Sequence, residues 1–428
     1  MQSLTIIAFM PSLSHAPLPR TDLVGTLQAI RQGQTTPRAV AEHCLKRARL
    51  PEVAPAFVSI DDAGLLATAG EAGITHTALG GVPVSVKDLF DVRGQVTAAG
   101  SVVRAQEAPA QVDALAVSRL RSAGAGLIGR THMVEFAFSG VGINPHTVTP
   151  RAWDARTGQV AGPEPRVPGG SSSGAGVSVA AGASLAGLGT DTGGSIRIPA
   201  AFNGLVGFKP TARRVPTEGC FPLSPSLDSV GALTLSVRDA VLLHAVLSAR
   251  QVQAMPRQLA DWRLAVPVNA MLEGMDGVAR AQFDAALQRL EQAGAQIQRI
   301  ELPGLDELPG LMATGGLAAP ESHAIHHLNL ADRLSDFDPR VAQRMLRGGE
   351  MRATDYIQLL RQRQQWIERM TRDLAPWDAL LSPTTPLTAP TLAQLAPGAE
   401  RDVEFFRVNG LLLRNTSAVN FLDGCALS

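Results

Sequence analysis

With 428 residues and 45% hydrophobic content, the chain can bury a large core, as one big domain or as two closely joined ones. Lys+Arg and Asp+Glu both number 38, a balance that gives no overall field for nucleic acid or an anionic membrane and suits a small, near-neutral substrate. Cys44, Cys220 and Cys425 lie far apart without a CxxC pair, which argues against a zinc site or disulfide framework and for a reducing, cytoplasmic location.

The opening MQSLTIIAFMPSLSHA has a short apolar run but no basic residues ahead of it, and Pro11 interrupts it. Residues 1–20 therefore read as a ragged extension rather than a signal peptide. No run approaches the roughly 18 apolar residues of a membrane-spanning helix. Leu23, Leu27 and Ile30 have helical spacing, and Thr36-Pro37 opens a second helix through Leu45. A short strand over 56–61 and a helix near 64–72 follow. Val82, Val84 and Val86 alternate as in a strand that ends at Lys87. A helix over 112–123 leads to a strand at Leu127-Ile128-Gly129, and the Pro-, Gly- and Arg-rich 141–170 reads as a loop wrapping over a site.

Gly169 to Ala200 holds two serine-bearing glycine turns, Gly170-Ser171-Ser172-Ser173-Gly174 and Asp191-Thr192-Gly193-Gly194-Ser195, joined by small residues able to pack tightly. Beyond it, 205–211 reads as a strand and 236–247 as an apolar helix carrying Asp239. The C-terminal part offers strands at 262–267 and 296–302, a helix over 277–293, a largely helical and polar segment 303–375, and a strand and turn at 377–386. Repeated alternation of strand and helix predicts an α/β fold with helices on a mixed sheet.

Hydroxyls become nucleophiles only with a base nearby. None of the nine histidines stands in a setting that marks it: His323, His326 and His327 sit in a helical run and His132 and His146 flank loops, so solvated or packing roles fit each. Lys87, closing an apolar strand, reads on its own as a side chain reaching for solvent. Three motif matches fail. The G-x-S-x-G match lacks the preceding strand of an α/β-hydrolase elbow. Asp191-Thr192-Gly193 has no second equivalent turn to make an aspartic-protease pair, and no phosphate loop occurs. Neither metal nor cofactor is called for.

Taken together, VSVKDLFDVRG, GAGLIGRTHMVEFAF, the GGSSSG turn, GTDTGGSIRIPA and FNGLVGFKPT closely resemble the amidase signature family, with a fainter match at DALLSPTTPLTAP. The match runs from about Thr21 to Leu247. The resemblance implies a single large domain over 21–428, with a central mixed twisted sheet covered by helices on both faces. The dense core motif spans 80–247, and 303–375 is the variable part. It implies Ser195 as nucleophile, Ser171 as a bridging serine after a cis Gly170-Ser171 peptide, and Lys87 as the ultimate base. Ser172, Asp191 and Arg197 support them, and backbone N–H groups of Thr192, Gly193, Gly194 and Ser195 form an oxyanion hole. Glycines at 193 and 194 fit that task, since they let successive N–H groups turn to one point. A lysine serves as base only when neutral, so Lys87 must be buried without a paired carboxylate to move below its ordinary pKa of about 10.4.

The implied activity is hydrolysis of a small carboxylic amide through an acyl-enzyme. Met133 and Phe136 are candidate pocket residues, with an apolar acyl group or a plain core role both open. The partner expected is the small amide itself; a homodimer stays open. The rival within the family is the glutamine-hydrolysing component of a tRNA-dependent amidotransferase. Such components commonly carry glutamine where Ile198 stands, which favours a free-standing enzyme. Relatives also usually continue beyond the position of Ser428 with a further strand and helix. A sheet one strand short, and a weakly active or non-catalytic member, are the expectations attached to that departure.

Overall fold

The computed structural model describes residues 21–252 and 257–428; the extension expected over 1–20 lies outside them. Seven strands form the central sheet: β1 (Phe57–Ile60), β2 (Pro83–Lys87), β3 (Gly126–Thr131), β4 (Ala186–Thr190), β5 (Val206–Lys209), β6 (Val230–Thr234) and β7 (Ala426–Leu427). Their spatial order is β1-β3-β2-β4-β6-β5-β7. The β3-β2-β4 centre is parallel, and the flanking pairs are antiparallel. This is the mixed sheet expected.

Every residue of β2, β3, β4 and β6 is buried, so these strands are covered on both faces. Val84, Val86 and Leu188 join one cluster with Leu23, Leu27, Leu120 and Leu243 from helices. Ile128 and Leu233 join another with Leu45, Val177 and Val179. The two-residue β7 escapes the sequence reading, as do β4 (AGLGT) and β6 (VGALT). Glycine and alanine lower their strand propensity, and burial on both faces removes the alternation that marks a strand.

The C-terminal half adds a parallel three-stranded sheet, Arg263–Pro267 between Gln296–Ile300 and Ala379–Leu380. Helices Ala318–Arg333, Pro339–Gly349 and Ala353–Leu374 accompany it. The polar 303–375 stretch is helical as predicted, but not simply a solvated face. Arg340 and Arg363 are buried, bound to Asp402 and Asp423. The helix Asp402–Phe421, equally absent from the sequence reading, runs into the core and precedes β7. Among the described residues no helix is long and apolar enough to cross a membrane.

Candidate active site

Strand parity decides where Lys87 goes. Val84 and Val86 enter the first cluster, so Ser85 and Lys87 face the other way. Ser85 Oγ lies 2.9 Å from Ser178 Oγ on the helix Ser173–Ala180. Two residues on, Lys87 Nζ donates to Ser171 Oγ at 2.8 Å and to Thr190 Oγ1 at 2.8 Å. The side chain is fully buried, which overturns its reading as solvent-seeking: β2 is interior, and its end opens onto the serine turn rather than water. Burial pushes the ammonium down to about 7, against opposing pulls from Asp228 and Asp191. Among the described residues no carboxylate forms an ion pair with it.

The Gly170-Ser171 peptide is cis. Ser171 O accepts from Val134 N at 3.2 Å, and Ser172 N donates to Ser195 O at 3.2 Å, tying the two turns together. Ser172 Oγ donates to Thr190 O at 3.3 Å, so it sits next to the lysine's partner rather than on the lysine. Close approach makes this geometry feasible: a Cβ on Gly189 would come within 2.8 Å of Ser172 Oγ. The small residues between the turns are thus what lets the helix lie against β4.

Ser195 is buried, and among the described residues its hydroxyl donates to no protein group. The N–H groups of Thr192, Gly193, Gly194 and Ser195 are likewise not bonded to protein among the described residues. The turn itself is held rigidly. Arg197 Nε and Nη2 donate to the two carboxylate oxygens of Asp191 at 3.0 and 2.9 Å, both residues being buried. Asp191 Oδ2 also accepts from Ile196 N and Arg197 N. Burial alone would raise this carboxyl, but the Arg197 guanidinium more than offsets it and holds the group below the usual carboxylate range.

Sequence reasoning missed four residues that bear on this turn. Thr190, on β4, is the second acceptor of Lys87. Asp228 accepts from Thr192 Oγ1 and from Leu223 N and Ser224 N, and burial pushes it up to about 6. Thr416 and Asn420 reach in from Asp402–Phe421. Thr416 Oγ1 donates to Gly193 O at 2.6 Å. Asn420 Nδ2 donates to Asp191 O and Oδ1, and Arg197 Nη2 donates to Asn420 Oδ1 and Thr416 O. A signal existed for the last pair: polar residues four apart on a helix flanked by Leu412, Val419 and Phe421 are polar groups on a buried face.

A family model described as Amidase matches residues 39–428. The chain belongs to the amidase family. It is 39% identical over 354 residues to a 2-amino-5-chloromuconic acid deaminase of Comamonas testosteroni, covering 81% of this chain and 74% of that one. A 1-carboxybiuret hydrolase component of a Pseudomonas species is 32% identical over 346 residues, covering 78% of this chain and 71% of its own. Glutamyl-tRNA(Gln) amidotransferase of Symbiobacterium thermophilum has a chain 32% identical over 423 residues, with coverage of 88% and 83%. A solved amidase structure superposes with a TM-score of 0.83 at 33% identity, covering 95% of this chain and 91% of that one. The protein is accordingly a hydrolase of amide C–N bonds.

In this amidase Met133 and Phe136 are both buried. Phe136 sits in a nest with Phe221, Phe337 and His326, at centroid distances of 5.7, 5.6 and 4.1 Å. The variable segment thus covers Phe136, and His326 takes the packing role expected of it. Burial lowers His326 to about 4 and His132 to about 3, so both are neutral at pH 7.

The Thr416 contact has a consequence for the Thr192–Ser195 turn. Its hydrogen bond to the Gly193 carbonyl fixes the plane of the Gly193–Gly194 peptide and hence the direction of the Gly194 N–H. Replacing Thr416 with valine is expected to lower kcat by about three- to tenfold with little change in KM, the size of one neutral hydrogen bond. Steady-state kinetics, with Thr416→Ser as the restoring variant, checks this.

Proposed function

We propose that this protein hydrolyses a small carboxylic amide to the acid and ammonia or an amine through an acyl-enzyme on Ser195. The observation that carries the reading is the buried lysine, with two hydroxyl partners and no ion-paired carboxylate among the described residues. Neutral Lys87 takes the Ser171 proton as Ser171 takes that of Ser195, and the Ser195 oxygen bonds to the amide carbon. The carbonyl oxygen, now negative, points into the N–H groups of Thr192, Gly193, Gly194 and Ser195. The proton on Lys87 returns through Ser171 to the departing nitrogen as the C–N bond breaks. Water, deprotonated by the same relay, then attacks the ester and releases the acid and Ser195. In this role Asp191 and Arg197 hold the turn, Ser172 locks it to the bridging serine, and Met133 and Phe136 bound the acyl pocket.

The test is turnover of short-chain, aryl and ureide amides by purified protein, with an active-serine probe mapped by mass spectrometry. Ser195→Ala is expected to abolish both labelling and turnover. Labelling at Ser172 with Lys87→Ala fully active would instead support an esterase of α/β-hydrolase type. The amidotransferase reading gains from the likeness to the Symbiobacterium chain. It predicts ammonia release from glutamine only with partner proteins and charged tRNA.

A further inference from the structure

We propose that Asp228 is a positioning residue for the reaction: it holds the Thr192 end of the nucleophile turn, and its charge sustains the basicity of Lys87. This rests on the relay of Lys87, Ser171 and Ser195 described above. The antiparallel register of β4 and β6 sets Asp228 in place. Thr190 lies opposite Val230; past the strand ends, Asp191 N donates to Ser229 O at 2.8 Å and Ser229 Oγ donates to Asp191 O at 2.7 Å. One step further on, Thr192 Oγ1 donates to Asp228 Oδ1. Thr190, two residues back, is a partner of Lys87 Nζ. The lysine and the carboxylate are thus tied to alternate residues of one short stretch of chain.

The other oxygen of Asp228 is fixed from the segment before it. Oδ2 accepts from Leu223 N at 3.0 Å and from Ser224 N at 3.1 Å. That segment is anchored in turn on the variable helices: Ser224 Oγ and Ser226 N donate to Glu321 Oε2 at 2.7 and 3.1 Å, and Tyr356 OH donates to Glu321 Oε1 at 2.8 Å. None of the three bonds at Asp228 needs a full negative charge. An asparagine would satisfy them all, its amide oxygen taking the two N–H groups and its Nδ2 donating to the Thr192 hydroxyl, which can also accept. Asp228 nevertheless keeps a charge with no ion-pair partner among the described residues, although desolvation raises it to about 6. A desolvated, unpaired charge is unfavourable, and the bonding pattern alone does not explain it.

Lys87 explains it. The titratable groups that face the lysine are the carboxyls of Asp228 and Asp191 and the thiol of Cys220. Burial pushes the Cys220 thiol up, so it is neutral at pH 7. Asp191 is already matched in contact by Arg197. Asp228, faced by Lys87 itself and by the neutral donors of Thr192, Ser224 and Leu223, is the carboxylate whose charge is left to act on Nζ. It acts across the site without forming an ion pair, which leaves the lysine able to lose its proton. Desolvation alone would drive Lys87 below about 7 and make it a feeble base, whereas an opposite charge nearby favours the protonated form. A general base works best with its pKa near the operating pH. When Nζ takes the Ser171 proton, the charge of Asp228 stabilises the new ammonium; when the proton returns, Asp228 has neither gained nor lost one.

The experiment uses the full chain and follows two readouts against pH: turnover of short-chain and aryl amides, and the rate at which a fluorophosphonate labels Ser195. In Asp228→Asn the acid limb of both is expected to move from near 7 to lower pH by about one unit, the size of one nearby charge. The weaker base should also lower the plateau about threefold. Thr192→Val, which breaks the hydroxyl bond but keeps the charge, should lower the rate with the limb unmoved. Glu321→Gln, which removes a charge on the far side of Ser224, should leave the limb in place as well. A limb that stays near 7 in Asp228→Asn overturns the proposal, because a purely structural residue lowers the rate without moving it. An equal shift in Glu321→Gln also overturns it, since that marks a general field. Asp228→Ser removes the same charge and is read in the same way if the asparagine protein does not fold; if neither folds, the residue serves the fold alone and the proposal fails. Unimpaired turnover in Lys87→Met would sink the relay reading separately. The charge is then judged from stability. The gain in denaturant midpoint that accompanies loss of the Lys87 proton in the folded chain, as pH rises from about 7 toward 10.5, should begin about one unit lower in Asp228→Asn; an unchanged onset refutes it.

Discussion

Replacing Lys87 with methionine is expected to lower kcat by about 10² to 10⁴-fold, the span of a lost general base, while the protein stays folded. Arginine at the same position should not rescue activity at any accessible pH, because a guanidinium cannot give up its proton. The parent has a distinct signature. In the relay we propose, the reactive form has neutral Lys87, so activity should rise with pH along a limb centred near 7, where burial places this group. An acid limb centred near pH 4 would assign the base to a carboxylate instead. Stability carries the same sign. The folded pKa lies below the unfolded one, so between about 7 and 10.5 the unfolded chain holds a proton that the folded chain does not. Folding is then favoured as pH rises through that window, and the advantage is lost as pH falls to 7. Lys87→Met has no such titration, so denaturant midpoints of parent and variant, followed over pH 7 to 10, should converge upward.

How far this could be read from the sequence follows from where each constraint lies. The two serine turns were legible because glycine and hydroxyl chemistry within a few residues defines them, and Lys87 because the alternation of Val82, Val84 and Val86 put it at a strand end. Its burial was not legible. That depends on β4, which brings Thr190 beside it, and β4 consists of small residues with no periodic signal. The supports of the Asp191–Ser195 turn were further out of reach. Thr416 and Asn420 are more than 200 residues from Gly193 and Asp191, and nothing local to their helix says which turn they serve.

Breaking the Asp191–Arg197 pair is expected to be the most damaging single change to stability. Both groups are buried, the contact is bidentate, and further bonds run to the turn through Ile196 N and Arg197 N and to the C-terminal helix through Asn420 and Thr416. Removing one partner from such a pair leaves an uncompensated buried charge and typically costs about 3 to 5 kcal/mol. Arg197→Gln should therefore shift the denaturant midpoint strongly at an unchanged slope. Asp191→Asn should do the same, with Arg197 left as the stranded charge. The double variant, which removes both charges, should cost clearly less than the sum of the two singles, because they act on one interaction. Simple additivity would show that the two residues stabilise the fold independently. Activity should fall in all three proteins, since the pair sits between the Thr192–Ser195 N–H groups and the helix that orients them. A variant that kept full turnover with the pair gone would mean that Thr416 alone suffices to fix the turn.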